Sequence, residues 1–295
     1  MDCVISAGTT ANSKPRKVKM ANLFHYNTLH VSLDRLTKSL VVKLNRPRDN
    51  NAINGEMIFE LESILAWCTS HLEINSIVLT STGPLFSCGA DVAEMESLGK
   101  ERLKKRLTKI QKLIYSMFFM PQTVIADLRG EAVGLGAELV IGADLRFAQE
   151  GATVSLSHLD HGLTPCCGGV GFLGATINPA WSRNWILDGG PIPMEQLTNS
   201  GFVTTLYPTL TPECLEANPA HPLYLALKRV AAQAPVQRIQ AKRSLLEAIL
   251  PNLDRALDFE RQFAFAGLES EDWREAGCSG EAIFKSAREF THSIS

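Results

Sequence analysis

The chain has 295 residues with a formal net charge of −2, and 45% of its residues are hydrophobic. This length fits one large domain or two small ones, and the ordinary balance of apolar and charged residues excludes a mainly disordered chain. The near-neutral charge excludes a general basic surface for nucleic acid or an anionic membrane, and no apolar run reaches the roughly 18 residues that cross a bilayer.

The amino-terminal segment and the cysteines give the expected compartment. Residues 1–20 are polar and small, and we expect them to form a disordered tail. Their basic cluster does not precede an apolar segment, so the order does not fit a secretion signal. The seven cysteines show no repeated ligand spacing and are expected to be thiols rather than disulfides. These features predict a cytoplasmic protein.

Apolar patterning predicts alternating strands and helices over the first two thirds of the chain. The predicted strands are 40–44, 77–79, 123–126, 145–148 and 154–156, and the predicted helices between them are 54–68, 102–119 and 134–143. Helical spacing then predicts helices over 223–232, 236–249 and 253–266. This pattern favours an α/β core domain over 21–210, followed by a helical region over 211–295.

Three segments carry residue patterns that are similar to those of a known family. They are Asn45-Arg46-Pro47 with Asn51 to Asn54, Phe86 to Met95 with Gly89-Ala90-Asp91 inside it, and Gly130 to Asp144. Two weaker matches are Gly162 to Gly169 and Gly201 to Pro208. In order and spacing these segments resemble the crotonase (enoyl-CoA hydratase/isomerase) superfamily. The resemblance implies a spiral of ββα units whose helical carboxy-terminal region packs between the subunits of a homotrimer or hexamer.

The resemblance implies chemistry on acyl thioesters, in which two backbone N–H groups stabilise the oxygen of an enolate. By position the two donors are the amides of Cys88 and Leu135, and rigid backbone donors stabilise developing charge with little reorganisation. The family usually has glycine where this chain has Leu135, so the N–H is kept but the site is narrower. The resemblance also implies substrate-binding positions at Ala90, Asp91, Gly134, Gly136 and Pro165. Taken alone, the glycine-rich run is more typical of a tight strand-to-helix turn without a ligand than of an oxyanion site.

The candidate catalytic pair is Glu138 and His158. Glu138 lies among apolar neighbours at the position of the family's first catalytic glutamate, where a carboxylate can exchange protons. The second family carboxylate is replaced by His158, counted back from Pro165. Imidazole donates or accepts a proton near neutral pH, so the two form a possible acid–base pair. In the alternative, His158 fills a site whose original chemistry has changed, or a small gap moves the position to Asp160 or His161.

The remaining histidine and cysteine patterns have ordinary explanations. His158 and His161 have metal-ligand spacing, but the chain has no second ligand cluster, so no metal is predicted. Cys88 has no neighbouring histidine in its motif and is interpreted as a small packed thiol rather than a nucleophile. The vicinal pair Cys166-Cys167 is interpreted as packing beside the acyl pocket.

The sequence therefore predicts an enzyme that acts on an acyl-CoA or acyl-carrier thioester through an enolate, adding water to a double bond or shifting it. Coenzyme A enters as part of the substrate, and no separate cofactor is predicted. One alternative is a decarboxylase or carbon–carbon hydrolase on the same scaffold, in which His158 handles the proton. The other is a non-catalytic thioester-binding protein, favoured by the missing carboxylate and by Ala93, where many relatives carry a lysine for coenzyme A phosphates.

Overall fold

The computed structural model describes residues 24–209, 220–270 and 272–275, in which helices surround two β-sheets. The strands are β1 (Leu29–Asp34), β2 (Ser39–Leu44), β3 (Ser76–Ser81), β4 (Thr123–Leu128), β5 (Ala132–Val133), β6 (Leu145–Gln149), β7 (Val154–Ser155), β8 (Pro191–Ile192) and β9 (Thr205–Tyr207). The helices are α1 (Gly55–Thr69), α2 (Val92–Glu96), α3 (Lys100–Phe119), α4 (Leu135–Ile141), α5 (Gly171–Thr176), α6 (Pro179–Asp188), α7 (Met194–Asn199), α8 (Pro222–Ala232), α9 (Pro235–Glu247), α10 (Leu250–Ser270) and α11 (Asp272–Glu275). The tail predicted over 1–20 lies outside the described residues.

The larger sheet has six strands in the order β1-β2-β3-β4-β6-β9, and only the β1–β2 pair is antiparallel. Every residue of β3 is buried, as expected for a parallel strand covered on both faces. Ile77 pairs with Leu40 on one side and with Val124 on the other. Because β3 and β4 are parallel neighbours, the chain leaves both at the same edge, and the segments that follow them meet there.

The second sheet is small and holds those segments in place. It has the order β5-β7-β8, with two residues in each strand. Single bridges tie the segment after β3 to both sides, Ser87 to Ala132 and Ala90 to Ile53. The site is therefore built where short strands converge rather than on long ones.

The last helices pack on the chain's own pocket region. Helix α10 lies against α3 and α5, and Leu268 and Trp273 form a buried cluster with Met95 and Leu103. The helical carboxy-terminal region predicted from the sequence is confirmed for its described residues. Within that described part, no helix is both long and apolar enough to cross a membrane.

The predicted strands and helices are confirmed with small changes at their ends. Strand β1 escaped prediction because it is an edge strand in which only Leu29 is buried, so it lacks an apolar run. The two-residue β5 and β8, the three-residue β9 and the short helices α2, α5, α7 and α11 were also missed, since elements of two to six residues are too short to show a period. The ten-residue α6 was missed as well, because only Ser182 and Trp185 in it are buried and it carries no apolar stripe.

Candidate active site

A pocket of about 260 Å³ lies between the segment after β3, the start of α4 and the carboxy-terminal helices. Six of the predicted site residues line it: Cys88, Ala90, Gly134, Leu135, Glu138 and His158. Most of the remaining wall is apolar, and includes Ile53, Met95, Leu103, Leu107, Ile110, Leu163, Leu268 and Trp273. The structure thus brings together residues that are separated by up to 70 positions in the predicted set (88 to 158).

Glu138 on α4 is held by the loop that precedes α5. Its side chain is 1% exposed, and its Oε1 accepts hydrogen bonds from the amides of Cys166 at 3.1 Å, Cys167 at 2.8 Å and Gly169 at 3.0 Å. A Cβ on Gly169 would lie 2.8 Å from that oxygen, so the loop fits only with glycine there. Since Oε1 accepts all three amides, Oε2 is the oxygen left to face His158.

His158 lies next to that second oxygen. Its Nε2 is 3.3 Å from Glu138 Oε2, but the contact is not aligned as a hydrogen bond, and neither ring nitrogen has a hydrogen-bond partner among the described residues. The ring stands over Gly134, where a Cβ would lie 3.9 Å from Nε2. The two predicted catalytic residues are therefore adjacent, buried and directed at the same pocket.

The structure corrects one of the two predicted oxyanion donors. The Cys88 amide already donates to the carbonyl oxygen of Asn50 at 3.0 Å, so it is not free to bind a substrate oxygen. Ile53 donates to Gly89 O at 2.8 Å and accepts from the amide that follows Ala90 at 3.1 Å. In a parallel bridge of this kind, the N–H of Ala90 itself points away from Ile53. Residue types alone do not encode which way an amide points, and the sequence interpretation missed this.

The Leu135 amide lies at the start of α4, beside the segment that follows β3. Leu135 is the first residue of α4, and its N–H has no hydrogen-bond partner within the described chain, as expected for the first turn of a helix. A Cβ built on Gly89 would lie 3.6 Å from this nitrogen, so the segment after β3 runs beside the start of α4. Gly89 and Gly134 have φ angles of +101° and +50°, conformations that L side chains rarely adopt.

Three of the five predicted substrate-binding residues support the site from behind instead of lining the pocket. Asp91 pairs with Arg46 at 2.9 Å and accepts the amide of Glu94 at 3.2 Å, which caps α2. Gly136 allows close packing of α4, since a Cβ there would lie 2.8 Å from Ser87 Cβ. Pro165 packs against the loop, since its own Cβ lies 2.7 Å from the position that a Cβ on Gly169 would take. Ala90 and Gly134 do line the pocket.

Glu260 is a site residue that the sequence interpretation missed. It projects from α10 onto the far side of the same loop, where its carboxylate accepts the amides of Gly168 at 2.9 Å, Val170 at 3.3 Å and Gly171 at 3.2 Å. The six amides from 166 to 171 are thus divided between two carboxylates. Burial, together with the nearby carboxylate of Glu138, raises the pKa of Glu260 to about 8.

The side chains of the pocket that could bind a metal ion together are different from the histidines considered from the sequence. In the part of the chain that the structure describes, His158 and His161 belong to no cluster of three such donors, whereas Glu138, Cys166 and Cys167 do, with their ligand atoms within 4.8 Å of one another. The two thiols are 3.4 Å apart.

Comparisons with known proteins agree with this geometry. A family model described as "Enoyl-CoA hydratase/isomerase" matches residues 37–291. The chain is 28% identical over 249 residues to the 2,3-dehydroadipyl-CoA hydratase of Escherichia coli, covering 84% of this chain and 93% of that protein. It is 25% identical over 248 residues to the short-chain-enoyl-CoA hydratase of Clostridium acetobutylicum, with 84% and 92% coverage. The crystal structure of an enoyl-CoA hydratase from Mycobacterium avium subsp. paratuberculosis matches with a TM-score of 0.75 at 23% identity, covering 87% of this chain and all of that one. This match confirms the predicted fold.

Proposed function

The chain belongs to the enoyl-CoA hydratase/isomerase (crotonase) family, and we propose that it adds water to, or shifts, the double bond of an enoyl thioester through an enolate. The observation that carries this proposal is the position of Glu138 and His158. They lie 3.3 Å apart in a pocket that two main-chain amide segments also line.

The amides of Ala90 and Leu135 are the proposed oxyanion donors. As the enolate forms, the thioester oxygen gains negative charge and the two N–H groups stabilise it. Both donors belong to backbone held by other hydrogen bonds, so they do not have to reorganise during the reaction. Losing one such donor typically lowers kcat by about 10²–10³-fold.

Proton transfer is assigned to Oε2 of Glu138. For hydration, we assign one step to each of Glu138 and His158. One activates water for attack on C3, the double-bond carbon farther from the thioester, and the other supplies the proton to C2, the carbon beside the thioester. For a double-bond shift, Glu138 alone takes a proton from one carbon and returns it to another. General acid–base catalysis of this kind typically contributes about 10²–10⁴-fold.

The pocket wall supports an apolar acyl group. Leu103, Leu107 and Ile110 from α3 form one side, and Leu268 and Trp273 from the carboxy-terminal helices form another. Such a surface gains free energy by burying hydrocarbon. We propose coenzyme A or an acyl-carrier protein as the carrier.

A decarboxylase or carbon–carbon hydrolase is the second candidate. It is favoured by His158, whose two ring nitrogens have no hydrogen-bond partner among the described residues. In that reaction the oxyanion donors stabilise the enolate left after carbon–carbon cleavage, and the imidazole supplies its proton. This candidate predicts turnover of malonyl-type or β-diketone substrates that persists in Glu138→Gln.

The proposed assembly is a homotrimer or hexamer. It is supported by an exposed apolar pair on α10, since the rings of Phe259 and Phe263 stack on each other and are 45% and 62% exposed, and contiguous exposed apolar surface marks interaction sites. Light scattering of the purified protein measures the mass of the assembly. The cytoplasmic location stays a prediction; one relative, 25% identical with 80% and 78% coverage, is the enoyl-CoA hydratase of Pongo abelii named as mitochondrial.

The test of the lead function is enolate formation itself. A saturated acyl-CoA is incubated with the protein in D₂O, and mass spectrometry follows deuterium at the carbon beside the thioester. We expect exchange with the native chain and none with Glu138→Gln. In parallel, a 2-enoyl-CoA that gains one water indicates hydration, and a 3-enoyl-CoA that changes without a mass change indicates isomerisation. Tight acyl-CoA binding without exchange or turnover would overturn the proposal in favour of a binding protein.

A further inference from the structure

We propose that Cys166, Cys167 and Glu138 form a binding site for a thiophilic divalent cation of the Zn²⁺ type. The three donor atoms all lie within 4.8 Å of one another, and the two Sγ atoms are 3.4 Å apart. A set of two sulfurs and one carboxylate oxygen binds Zn²⁺ and Cd²⁺ more tightly than it binds Mg²⁺ or Ca²⁺.

The spacing fits a tetrahedral ion. With Zn–S near 2.3 Å and Zn–O near 2.1 Å, ligand atoms around one ion are separated by about 3.4–3.8 Å. The sulfurs are already at this distance, and the widest separation in the cluster has to close by about 1 Å. Three protein ligands leave the fourth position for water.

The site is accessible through the pocket, since both cysteines and Glu138 line it. On binding, each cysteine coordinates as the thiolate and releases its proton to solvent.

Occupancy has a consequence for the reaction, and this step rests on the proposed function. Coordination places a divalent cation on the same carboxylate that is proposed to take up and release the proton. It also moves the residues whose amides hold Oε1 at 3.1 and 2.8 Å. A bound cation is therefore an inhibitor that acts at the carboxylate itself.

The test uses the full chain with Cys3, Cys214 and Cys278 replaced by serine, which removes the thiols outside the described residues. Cd²⁺ is titrated, and the thiolate-to-metal charge-transfer absorption is followed in the ultraviolet. We expect saturation at one ion per chain, displacement of Cd²⁺ by Zn²⁺, and loss of the band in Cys166→Ser and in Cys167→Ser. Cys88→Ser is the matched control, because this exposed thiol lies outside the cluster, and its band is retained.

Glu138→Gln separates the site from the function. It keeps both thiols, so the band remains, but the affinity for Cd²⁺ falls by about tenfold or more. The proposed site is wrong if the parent chain shows no band. It is also wrong if the band survives in both cysteine variants while their thermal unfolding midpoints are unchanged. A band that saturates while turnover of the enoyl-CoA continues supports the site and overturns the assigned role of Glu138.

Discussion

Glu60 and Glu138 are both buried carboxylates that accept several hydrogen bonds, yet they lie in regions of different construction. Glu60 on α1 uses both oxygens beside the large sheet, accepting the amides of Asn27 at 2.7 Å and Thr28 at 3.0 Å and the Thr28 hydroxyl. Glu138 concentrates three amides on one oxygen and leaves the other facing the pocket. A fully paired carboxylate fixes the chain, whereas a half-paired one retains an oxygen for chemistry.

Exchanging each carboxylate for its amide gives the largest expected contrast. In Glu138→Gln, Oε1 keeps its three donors, so the fold is retained while kcat falls by about 10²–10⁴-fold because the proton-transferring oxygen is lost. In Glu60→Gln, an N–H donor faces an NH₂ group, so the free energy of unfolding falls by about 1–3 kcal/mol while kcat per folded molecule is unchanged. Steady-state kinetics and urea unfolding measure the two effects, and equal loss of activity in both variants contradicts the distinction.

Leu135→Pro tests the oxyanion role of a single amide. Proline is well tolerated at the first position of a helix, where its missing N–H has no intrahelical partner, and Leu135 occupies that position in α4. We expect kcat to fall by about 10²–10³-fold relative to Leu135→Ala, while both variants lose thermal stability because the buried Leu135 side chain is removed in each. Leu135→Ala, which keeps the N–H, is the control; a similar loss in both variants would mean that the side chain matters and the amide does not.

Glu260 makes the stability of the site region depend on pH. Its folded-state pKa of about 8 lies above the ordinary 4.5, so the folded state binds the proton more tightly than the unfolded state. The stabilisation is therefore complete below about pH 4.5 and is lost as the pH rises through 8, with a slope of at most about 1.4 kcal/mol per pH unit. Thermal midpoints measured across this range fall with rising pH in the native chain and flatten in Glu260→Gln. An identical slope in both proteins refutes this assignment.

Trp273 is expected to have the smallest effect, on the choice of acyl chain. It closes the apolar pocket with Leu268, so Trp273→Ala makes room for further methylene groups. We expect the ratio of kcat/KM for longer over shorter enoyl-CoA to rise by about tenfold. Leu187→Ala, at a position 74% exposed on α6, is the control and leaves the ratio unchanged.

Many of the strands and helices could be predicted from the sequence because residues on a buried face are apolar and recur at the spacing of a strand or a helix. The apolar runs at 40–44 and 123–126 and the helical spacing of 102–119 correspond to β2, β4 and α3. Glu138 and His158 could be placed through the resemblance, since glycines and a proline at fixed offsets mark their positions. Strand β1 could not, because its side chains are mostly half-exposed.

The oxyanion donor was missed because it depends on the direction in which a backbone N–H points rather than on residue type. Nothing in the segment from Phe86 to Asp91 shows that the amide of Cys88 turns to Asn50 while that of Ala90 does not. For Glu260 a signal did exist. It shares a helical stripe with the buried residues Leu253, Leu257, Ala264 and Leu268, and a glutamate on an apolar stripe indicates a buried partner.

The loop from 166 to 171 has a consequence for how the molecule is made. A nascent chain that has emerged up to residue 209 already contains all nine described strands, yet its loop amides at 168, 170 and 171 have no acceptor until Glu260 leaves the ribosome. The loop that holds Glu138 is therefore completed only after nearly the whole chain has been made. A product truncated before α10 would lack the acceptor of these amides and also the core residues Leu253 and Leu257.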